Sequence, residues 1–199
     1  MKMKKFLVGL FCLFNVNLVS AQTINFDDLA GNFNPVVDGY MGLNWNSSNP
    51  TGVVDVNPFL VPGVDYTGIQ NNALFNAFGY VAPNTTTISA INGQTFDFVS
   101  GYWSAGMTGN VDISFEGYVN NHLAFTSTTY NLTGSSVTPV ILNWRGLDSL
   151  RISSSSAIWI ADNLEVNIQS SPVPEPEVYG MLVIGLGMIT IIRRRKNLK

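Results

Sequence analysis

An uncharged run of fifteen residues close to the C-terminus, residues 178–192, limits what this chain can fold into. Arg193, Arg194, Arg195 and Lys196 follow the run directly. A helix in the core of a soluble domain is normally amphipathic, and it does not end in a cluster of consecutive cations. At 1.5 Å per residue the run spans about 22 Å, which is less than a ~30 Å hydrocarbon core unless the flanking arginines snorkel and the bilayer thins. Basic residues beside a membrane helix stay cytoplasmic. We therefore predict one short transmembrane helix at residues 178–192, with the arginines as its stop and the preceding chain outside.

The N-terminus has the pattern of a secretory signal peptide. Lys2, Lys4 and Lys5 form a basic segment, residues 6–19 are mostly apolar, and small residues end at Ala21. The apolar run is shorter than the roughly 20 residues that a membrane span requires, which argues against a permanent anchor. We therefore predict a signal peptide at residues 1–21 and a mature chain that begins at Gln22.

The segment between these two ends, residues 22–170, is acidic and contains few charges. It has two basic residues, Arg145 and Arg151, against eleven Asp and Glu. Proteins that bind nucleic acid need a basic face to neutralise phosphates, so we expect no nucleic acid as a partner. Short apolar runs are separated by Asn, Ser, Thr and Gly, and no stretch keeps a 3.6-residue apolar period. This pattern predicts an all-β fold, a β-sandwich, for residues 22–170.

Alternation of apolar and polar residues locates individual strands. Val111, Ile113 and Phe115 alternate with polar residues, which is typical of a half-buried strand. Asn120 and Asn121 tolerate positive φ and predict a two-residue hairpin turn after that strand. The same reasoning predicts further strands over residues 22–26, 40–45, 95–103, 122–132, 137–144, 147–153 and 157–168.

A proline-spaced linker precedes the apolar run and contains Pro174, Glu175 and Pro176. The order of linker, apolar run and arginine cluster resembles the PEP-CTERM sorting signal over residues 172–199, and we take residues 171–199 as the sorting segment. It implies that an exosortase, a membrane cysteine transpeptidase, cuts near the Pro-Glu-Pro triplet. It also implies that the released protein joins an exopolysaccharide-rich matrix and that the membrane helix is a transient anchor.

Short stretches of the central segment, at residues 24–29, 39–45, 100–103, 146–150 and 161–164, carry a second resemblance. They are similar to the jelly-roll domains found in many PEP-CTERM proteins. The resemblance implies a jelly-roll-like β-sandwich, an architecture that carbohydrate-binding modules share. Shared architecture does not establish a shared function.

Asp28 and Asp162 are the candidate metal ligands. Asp162 has the parity of Ile160 and Leu164, and Asp28 has the parity of Phe26, so both carboxylates are expected to face inward unless a bulge intervenes. First and last strands of a jelly roll often lie side by side, and two inward carboxylates would repel unless a cation lies between them. We therefore predict a structural calcium ion held by Asp28 and Asp162. The alternative is that Asp28 caps a turn and Asp162 accepts backbone N–H bonds or pairs with an arginine.

Two tryptophans are the candidate sugar-stacking residues. Trp159 is out of phase with Ile158 and Ile160, so it is expected to point outward from an alternating strand. Trp103 is out of phase with Tyr102 and lies just before a Ser-Ala-Gly stretch. Exposed aromatic faces would let Trp103 and Trp159 stack on glycan rings. The alternative is that both rings pack in the core.

No catalytic residues are predicted. His122 is the single histidine and follows the predicted hairpin turn, and the sequence has no G-x-S-x-G motif. The first hypothesis is an exported, non-enzymatic surface or extracellular-matrix protein linked to exopolysaccharide and biofilm. Its precursor is held in the inner membrane, and its mature domain is periplasmic, at the cell surface or extracellular. The alternatives are a carbohydrate-binding module that tethers matrix glycans and, with less support, a glycan-active enzyme that uses two carboxylates.

Overall fold

The computed structural model describes residues 20–45, 50–76, 84–106, 109–155 and 158–169, and residues 180, 184 and 185. The described strands, all within residues 20–169, form two antiparallel β-sheets. Leu18–Ser170 forms one compact unit. The prediction of an all-β sandwich is confirmed, and the fold is consistent with a jelly-roll-like domain.

The described strands range from 2 to 11 residues in length, and turns or loops separate them. In chain order they are β1 (Ser20–Ile24), β2 (Asn32–Pro35), β3 (Leu43–Asn44), β4 (Gly52–Asp55), β5 (Asn72–Phe75), β6 (Asn84–Ala90), β7 (Thr95–Ala105), β8 (Asn110–Val119), β9 (His122–Thr126), β10 (Tyr130–Thr133), β11 (Thr138–Leu147), β12 (Ser149–Ser154) and β13 (Trp159–Gln169). Single turns of 3-10 helix lie at Tyr40–Gly42 and Asn57–Phe59.

The seven-stranded sheet has the order β11-β7-β13-β5-β4-β2, and β1 also pairs with β13. On the side of β13 opposite β7, β5 pairs with its first residues and β1 pairs with its last ones. The six-stranded sheet has the order β10-β8-β12-β6-β3, and β9 also pairs with β8. The first and last described strands therefore lie side by side, as the sequence predicted.

The main core lies between the sheets and is built by alternating residues of both. Val111, Ile113 and Phe115 are at most 1% exposed, which confirms the predicted half-buried strand. The same cluster holds Ile24, Phe26, Trp45, Phe96, Phe98, Trp103, Leu150, Ile152, Trp159 and Leu164.

A second apolar cluster lies on the other face of the seven-stranded sheet. Val53 and Leu74 belong to the main core, whereas their chain neighbours Val54, Ala73 and Phe75 belong to the second cluster. The remaining buried members are Val56, Ile69 and Ile160, with Leu60 packed against them. Residues of the 56–71 loop therefore cover this face of the sheet.

Local backbone geometry accounts for two differences from the predicted strands. Residues 40–42 form a helical turn in which Met41 has φ 49°, so only Leu43–Asn44 is extended in the predicted 40–45 strand. The predicted 122–132 strand is divided into β9 and β10, which both pair with β8. Asn120 and Asn121 have φ values of 50° and 60°, which confirms the predicted turn.

A bulge in β13 reverses the direction of its side chains. The pairing of β13 with β7 shifts register between Asp162 and Glu165, and Asn163 has φ 48°. A bulge adds one residue to a strand, so residues before and after it change parity relative to a regular strand. Trp159 and Leu164 consequently face the same core, although one number is odd and the other even.

The predicted signal peptide and sorting segment fall largely outside the described residues. Ser20 and Ala21 are described and pair with Ile168 and Asn167 of β13. Within residues 178–192, only positions 180, 184 and 185 are described. No helix among the described residues has the length and apolar character needed to cross a membrane.

Candidate functional site

The two tryptophans predicted to stack on glycans are buried. Trp103 is 0% and Trp159 is 1% exposed, and their ring centroids lie 5.0 Å apart. The ring of Trp103 also contacts that of Phe115 at 5.1 Å. The β13 bulge turns Trp159 inward, and on β7 it is Tyr102 that faces solvent, at 38% exposure. The prediction that these two tryptophans offer exposed faces is wrong, because both rings pack between the sheets.

Asp28 is exposed, contrary to the predicted inward orientation. β1 ends at Ile24, and Phe26 has φ 59°, so the alternation of an extended strand stops before Asp28. Its Oδ1 accepts a hydrogen bond from the Tyr40 hydroxyl at 2.6 Å. Burial and the neighbouring Asp28 carboxylate raise the pKa of Tyr40 far above its usual range, so this hydroxyl remains a donor.

Asp162 is buried, at 2% exposure, on the face of the sheet that carries the second cluster. Its Oδ2 accepts a hydrogen bond from the Gln70 N–H at 3.1 Å, and its Oδ1 accepts one from the Asn163 N–H at 2.6 Å. Burial raises the pKa of Asp162 to about 7, the two N–H donors oppose that increase, and the charge of Asp27 adds to it. These contacts are the backbone N–H bonds of the alternative interpretation.

The calcium ion predicted at Asp28 and Asp162 stays a prediction. Asp162 offers buried carboxylate oxygens, as a calcium site requires, but the acidic residue whose charge acts on it is Asp27, and Asp28 bonds to Tyr40. Among the described residues, no group of three or more His, Cys, Asp or Glu side chains is placed to hold a metal ion.

The last part of the 56–71 loop, residues 66–70, is fastened to the sandwich at several points besides the Gln70 N–H. The Asn163 side-chain amide donates a hydrogen bond to the Gly68 carbonyl at 3.1 Å. The Tyr66 hydroxyl donates one to the Gly134 carbonyl at 2.6 Å. Ile69, at 0% exposure, is fully buried in the second cluster. The loop is therefore held in one position, and side chains that project from it have defined places.

An apolar cavity of about 140 Å³, here called the aromatic cavity, lies between this loop, β2 and the first residues of β13. Phe33 and Phe59 line it and remain 59% and 43% exposed. The Phe33 ring meets the Phe59 ring at 6.3 Å and the Phe75 ring at 5.7 Å, both edge to face. The other lining residues are Val54, Val56, Leu60, Tyr66, Phe75, Ala105, Gly106, Ile158 and Ile160.

A second depression of about 400 Å³, here called the polar cleft, shares Leu60 and Tyr66 with the aromatic cavity. Hydrogen bonds from the Thr67 hydroxyl and N–H hold the pKa of Asp65 below its usual range. Gln70 and Asn71 are exposed. Within the described residues their side-chain amides have no hydrogen-bond partner. The remaining lining residues are Asn57, Val61, Pro62, Gly63 and Val64.

Phe33 and Phe59 were not among the site residues predicted from the sequence. Phe33 lies between Asn32 and Asn34, so it is an aromatic residue isolated among polar turn residues. That context is a signal from which Phe33 could have been chosen. Phe59 offers no such signal, because Leu60 and Val61 follow it and make it part of a short apolar run.

The comparisons with known proteins locate a sorting motif at the C-terminus. The family model described as the PEP-CTERM protein-sorting motif matches residues 172–196. The match includes Pro174, Glu175 and Pro176 and the arginines Arg193–Arg195, which lie outside the described residues. The chain therefore carries a PEP-CTERM sorting motif, which indicates export and processing by an exosortase. No curated protein matches the sequence.

Several solved structures are similar to the fold at low identity. A carbohydrate-binding module specific for non-crystalline cellulose, CBM28, has a TM-score of 0.39 and 12% identity, over 74% of this chain and 92% of that one. The K2 cleaved adhesin domain of Lys-gingipain has a TM-score of 0.43 and 10% identity, over 76% and 100%. The M60 catalytic domain with CBM51 domains of Clostridium perfringens ZmpB has a TM-score of 0.33 and 5% identity, and the match covers 50% of this chain but only 11% of that one. At these scores the likenesses say nothing of what this chain binds.

Proposed function

We propose that this protein is an exported, non-enzymatic surface or extracellular-matrix component linked to exopolysaccharide and biofilm. The observation that carries the proposal is the PEP-CTERM sorting motif at residues 172–196. The exosortase is the processing partner, and the membrane holds the precursor until the chain is cut.

The position of the last strand supports release of a complete domain. β13 ends at Gln169, and the Pro-Glu-Pro triplet begins at Pro174. A cut within or after the triplet leaves β2 to β13 whole in the released product, together with Gln22–Ile24 of β1. The domain does not depend on the tail for any strand pairing among the described residues.

Two features of the described residues support a non-enzymatic role. His122 is exposed at the start of β9, in a sheet that does not line the aromatic cavity. Asp162, the acid with a strongly raised pKa, is occupied by two backbone N–H donors. Neither group has the partner and free approach that general acid–base catalysis requires.

Mass spectrometry of the protein purified from its native host tests the proposal. We expect a mature chain that begins at Gln22 and ends near Pro176, recovered outside the cytoplasm. Exchange of Pro174 and Pro176 for Ala should leave the tail attached, whereas Pro172→Ala, outside the triplet, should be processed normally. Recovery of the intact 199-residue wild-type chain from the cytosol would contradict the proposal.

Carbohydrate binding by the β-sandwich is the second candidate function. The observation that favours it is the exposure of Phe33 and Phe59 beside the polar cleft. Ligand sites in proteins combine apolar surface with a few polar groups that orient the ligand. Retention of the mature protein on immobilised glycans tests this candidate separately from processing, because a correctly sorted protein that binds no glycan still satisfies the first proposal.

A further inference from the structure

Phe33 occupies a backbone conformation that is unfavourable for a bulky residue. Its φ is 61°, and the pairing of β2 with β4 shifts register between Asn32 and Asn34. Phe33 is thus the extra residue of a bulge in the left-handed region, where a side chain with a Cβ is strained by about 1–3 kcal/mol.

Burial does not compensate for this strain, because 59% of Phe33 is exposed. The bulge instead places the ring at the mouth of the aromatic cavity, edge to face with Phe59 and Phe75. A Gly or Asn at this position would avoid the strain, since both accept positive φ readily. The benefit of Phe33 must therefore lie in the ring itself and in what the exposed part of the ring contacts.

The polar cleft provides hydrogen-bonding groups next to these rings. Gln70 and Asn71 are exposed, and each amide offers donors and an acceptor in one plane. The Gln70 N–H donates a hydrogen bond to the Asp162 carboxylate at 3.1 Å, so the backbone from which the Gln70 side chain projects is held in place. A purely apolar partner would cover these amides without bonding to them, which is unfavourable.

The charges of the two depressions select against an anionic ligand. Among the described residues, none that lines the aromatic cavity is charged, and Asp65 is the single charged one that lines the polar cleft. The sequence adds only Arg145 and Arg151 as cations between residues 22 and 170. Of these, Arg151 pairs with Glu116 in the other sheet. Like charges repel, so an uncharged ligand is favoured over a polyanion.

We propose that the aromatic cavity and the polar cleft together bind a neutral glycan. The apolar C–H face of one sugar ring contacts Phe33 and Phe59, and hydroxyls of the same or the next ring bond to the amides of Gln70 and Asn71. The proposal rests on the carbohydrate-binding candidate function and names its site and ligand class. Phe33 and Phe59, in place of the buried Trp103 and Trp159, then form the surface that a sugar ring contacts.

Affinity gel electrophoresis of the full-length chain in detergent tests the site. The probes are soluble neutral polysaccharides (hydroxyethylcellulose, xylan, galactan and laminarin) and one polyanion, alginate. We expect at least one neutral polysaccharide to retard the wild type and alginate not to. Phe33→Ala and Phe59→Ala should each weaken that retardation by about tenfold, the size expected for a lost aromatic contact. Leu123→Ala, which removes a 54% exposed apolar side chain from the other sheet, should have no effect.

A second substitution separates loss of binding from loss of folding. Phe33→Gly removes the same ring as Phe33→Ala but accepts the positive φ without strain. We expect both variants to lose binding equally and the glycine variant to melt at the higher temperature. A glycine variant that retains wild-type retardation overturns the proposal.

Each remaining outcome overturns a distinct statement. Absence of retardation by every neutral polysaccharide overturns the carbohydrate-binding function together with the site, and leaves sorting untouched. Wild-type retardation that survives Phe33→Ala and Phe59→Ala overturns the site alone. Stronger retardation by alginate overturns the neutral class. Self-association in analytical ultracentrifugation that disappears in Phe33→Ala would assign the aromatic cavity to contacts between copies instead.

Discussion

The Asp162 carboxylate and the Gln70 backbone are joined across 92 residues of sequence by a hydrogen bond of 3.1 Å. The carboxylate is buried below the 56–71 loop, and the loop residue that it holds contributes its side chain to the polar cleft. Asn163, the next residue of β13, holds the Gly68 carbonyl of the same loop. The last strand of the sandwich therefore determines where the loop beside the aromatic cavity lies.

The raised pKa of Asp162 makes stability depend on pH. In the folded protein the pKa is about 7, against 3.8 for an unperturbed Asp, so the folded state keeps a proton that the unfolded state releases within this range. The calcium-free protein should therefore lose stability as pH rises from about 4 to about 7, and should change little from this group outside that range. Thermal melts in EGTA between these pH values measure the effect. Asp162→Asn, which cannot titrate, is the control, and identical slopes for the two proteins would contradict the prediction.

Calcium should oppose the loss of stability that ionisation of Asp162 causes. A cation favours ionised Asp162, so calcium bound there offsets the repulsion from Asp27 and the cost of burying the charge. We expect calcium chloride to raise the melting temperature above that in EGTA at pH 7.5, and to raise it much less at pH 5. The increase should be absent in Asp162→Asn and reduced in Asp28→Asn. Equal midpoints in calcium and EGTA for the wild type would remove the predicted calcium site.

Substitutions of the buried tryptophans should lower the stability of the protein without a separate effect on glycan binding. Trp103→Ala and Trp159→Ala each remove a large side chain from the main core and should lower the free energy of unfolding by about 3–5 kcal/mol. Trp103→Phe should cost much less, because it keeps an aromatic ring and removes an indole N–H that has no hydrogen-bond partner among the described residues. Urea unfolding measures these differences. A tryptophan variant of normal stability that loses glycan retardation would restore the stacking role.

Two glycines of the 56–71 loop provide a matched test of its packing. Gly63 and Gly68 have φ values of 85° and 97°, so alanine is strained at either position by about 1–2 kcal/mol. A Cβ on Gly63 would meet nothing within 4 Å, whereas a Cβ on Gly68 would lie 2.5 Å from the Tyr102 ring. Gly68→Ala should therefore destabilise the protein clearly more than Gly63→Ala in urea unfolding. Equal costs would show that the Tyr102 ring moves aside freely.

The parts of the fold that were predictable are those with uninterrupted alternation. Val111, Ile113 and Phe115 have no bulge between them, so parity alone identified their buried face. Parity failed at Trp159, because the bulge at Asn163 changes the direction of side chains within one strand. A single added residue leaves no regular pattern in the sequence from which to count it.

The candidate site was harder to predict than the sheets because distant segments build it. Phe33 of β2, Phe59 of the loop and Ile160 of β13 line one cavity, although they are far apart in sequence. Gln70 is positioned by the hydrogen bond that its N–H donates to the Asp162 carboxylate. The sequence indicated Asp162 as an unusual buried carboxylate, but not that it supports this loop. Neither Phe33 nor Phe59 was predicted as a site residue, because their juxtaposition depends on the sheet order.

The aromatic cavity and the sorting tail are connected to opposite ends of β13. Ile160 lines the cavity, Gln169 is the last paired residue before the tail, and about 30 Å of extended strand separates them. A pull between a ligand held in the cavity and the tail would run along this strand. The hydrogen bonds between β13 and β7 lie across that direction, so many of them would be loaded together in shear, not opened one by one. The pairing of β13 with β7 would therefore resist a force that pulls a bound ligand and the tail of the precursor apart.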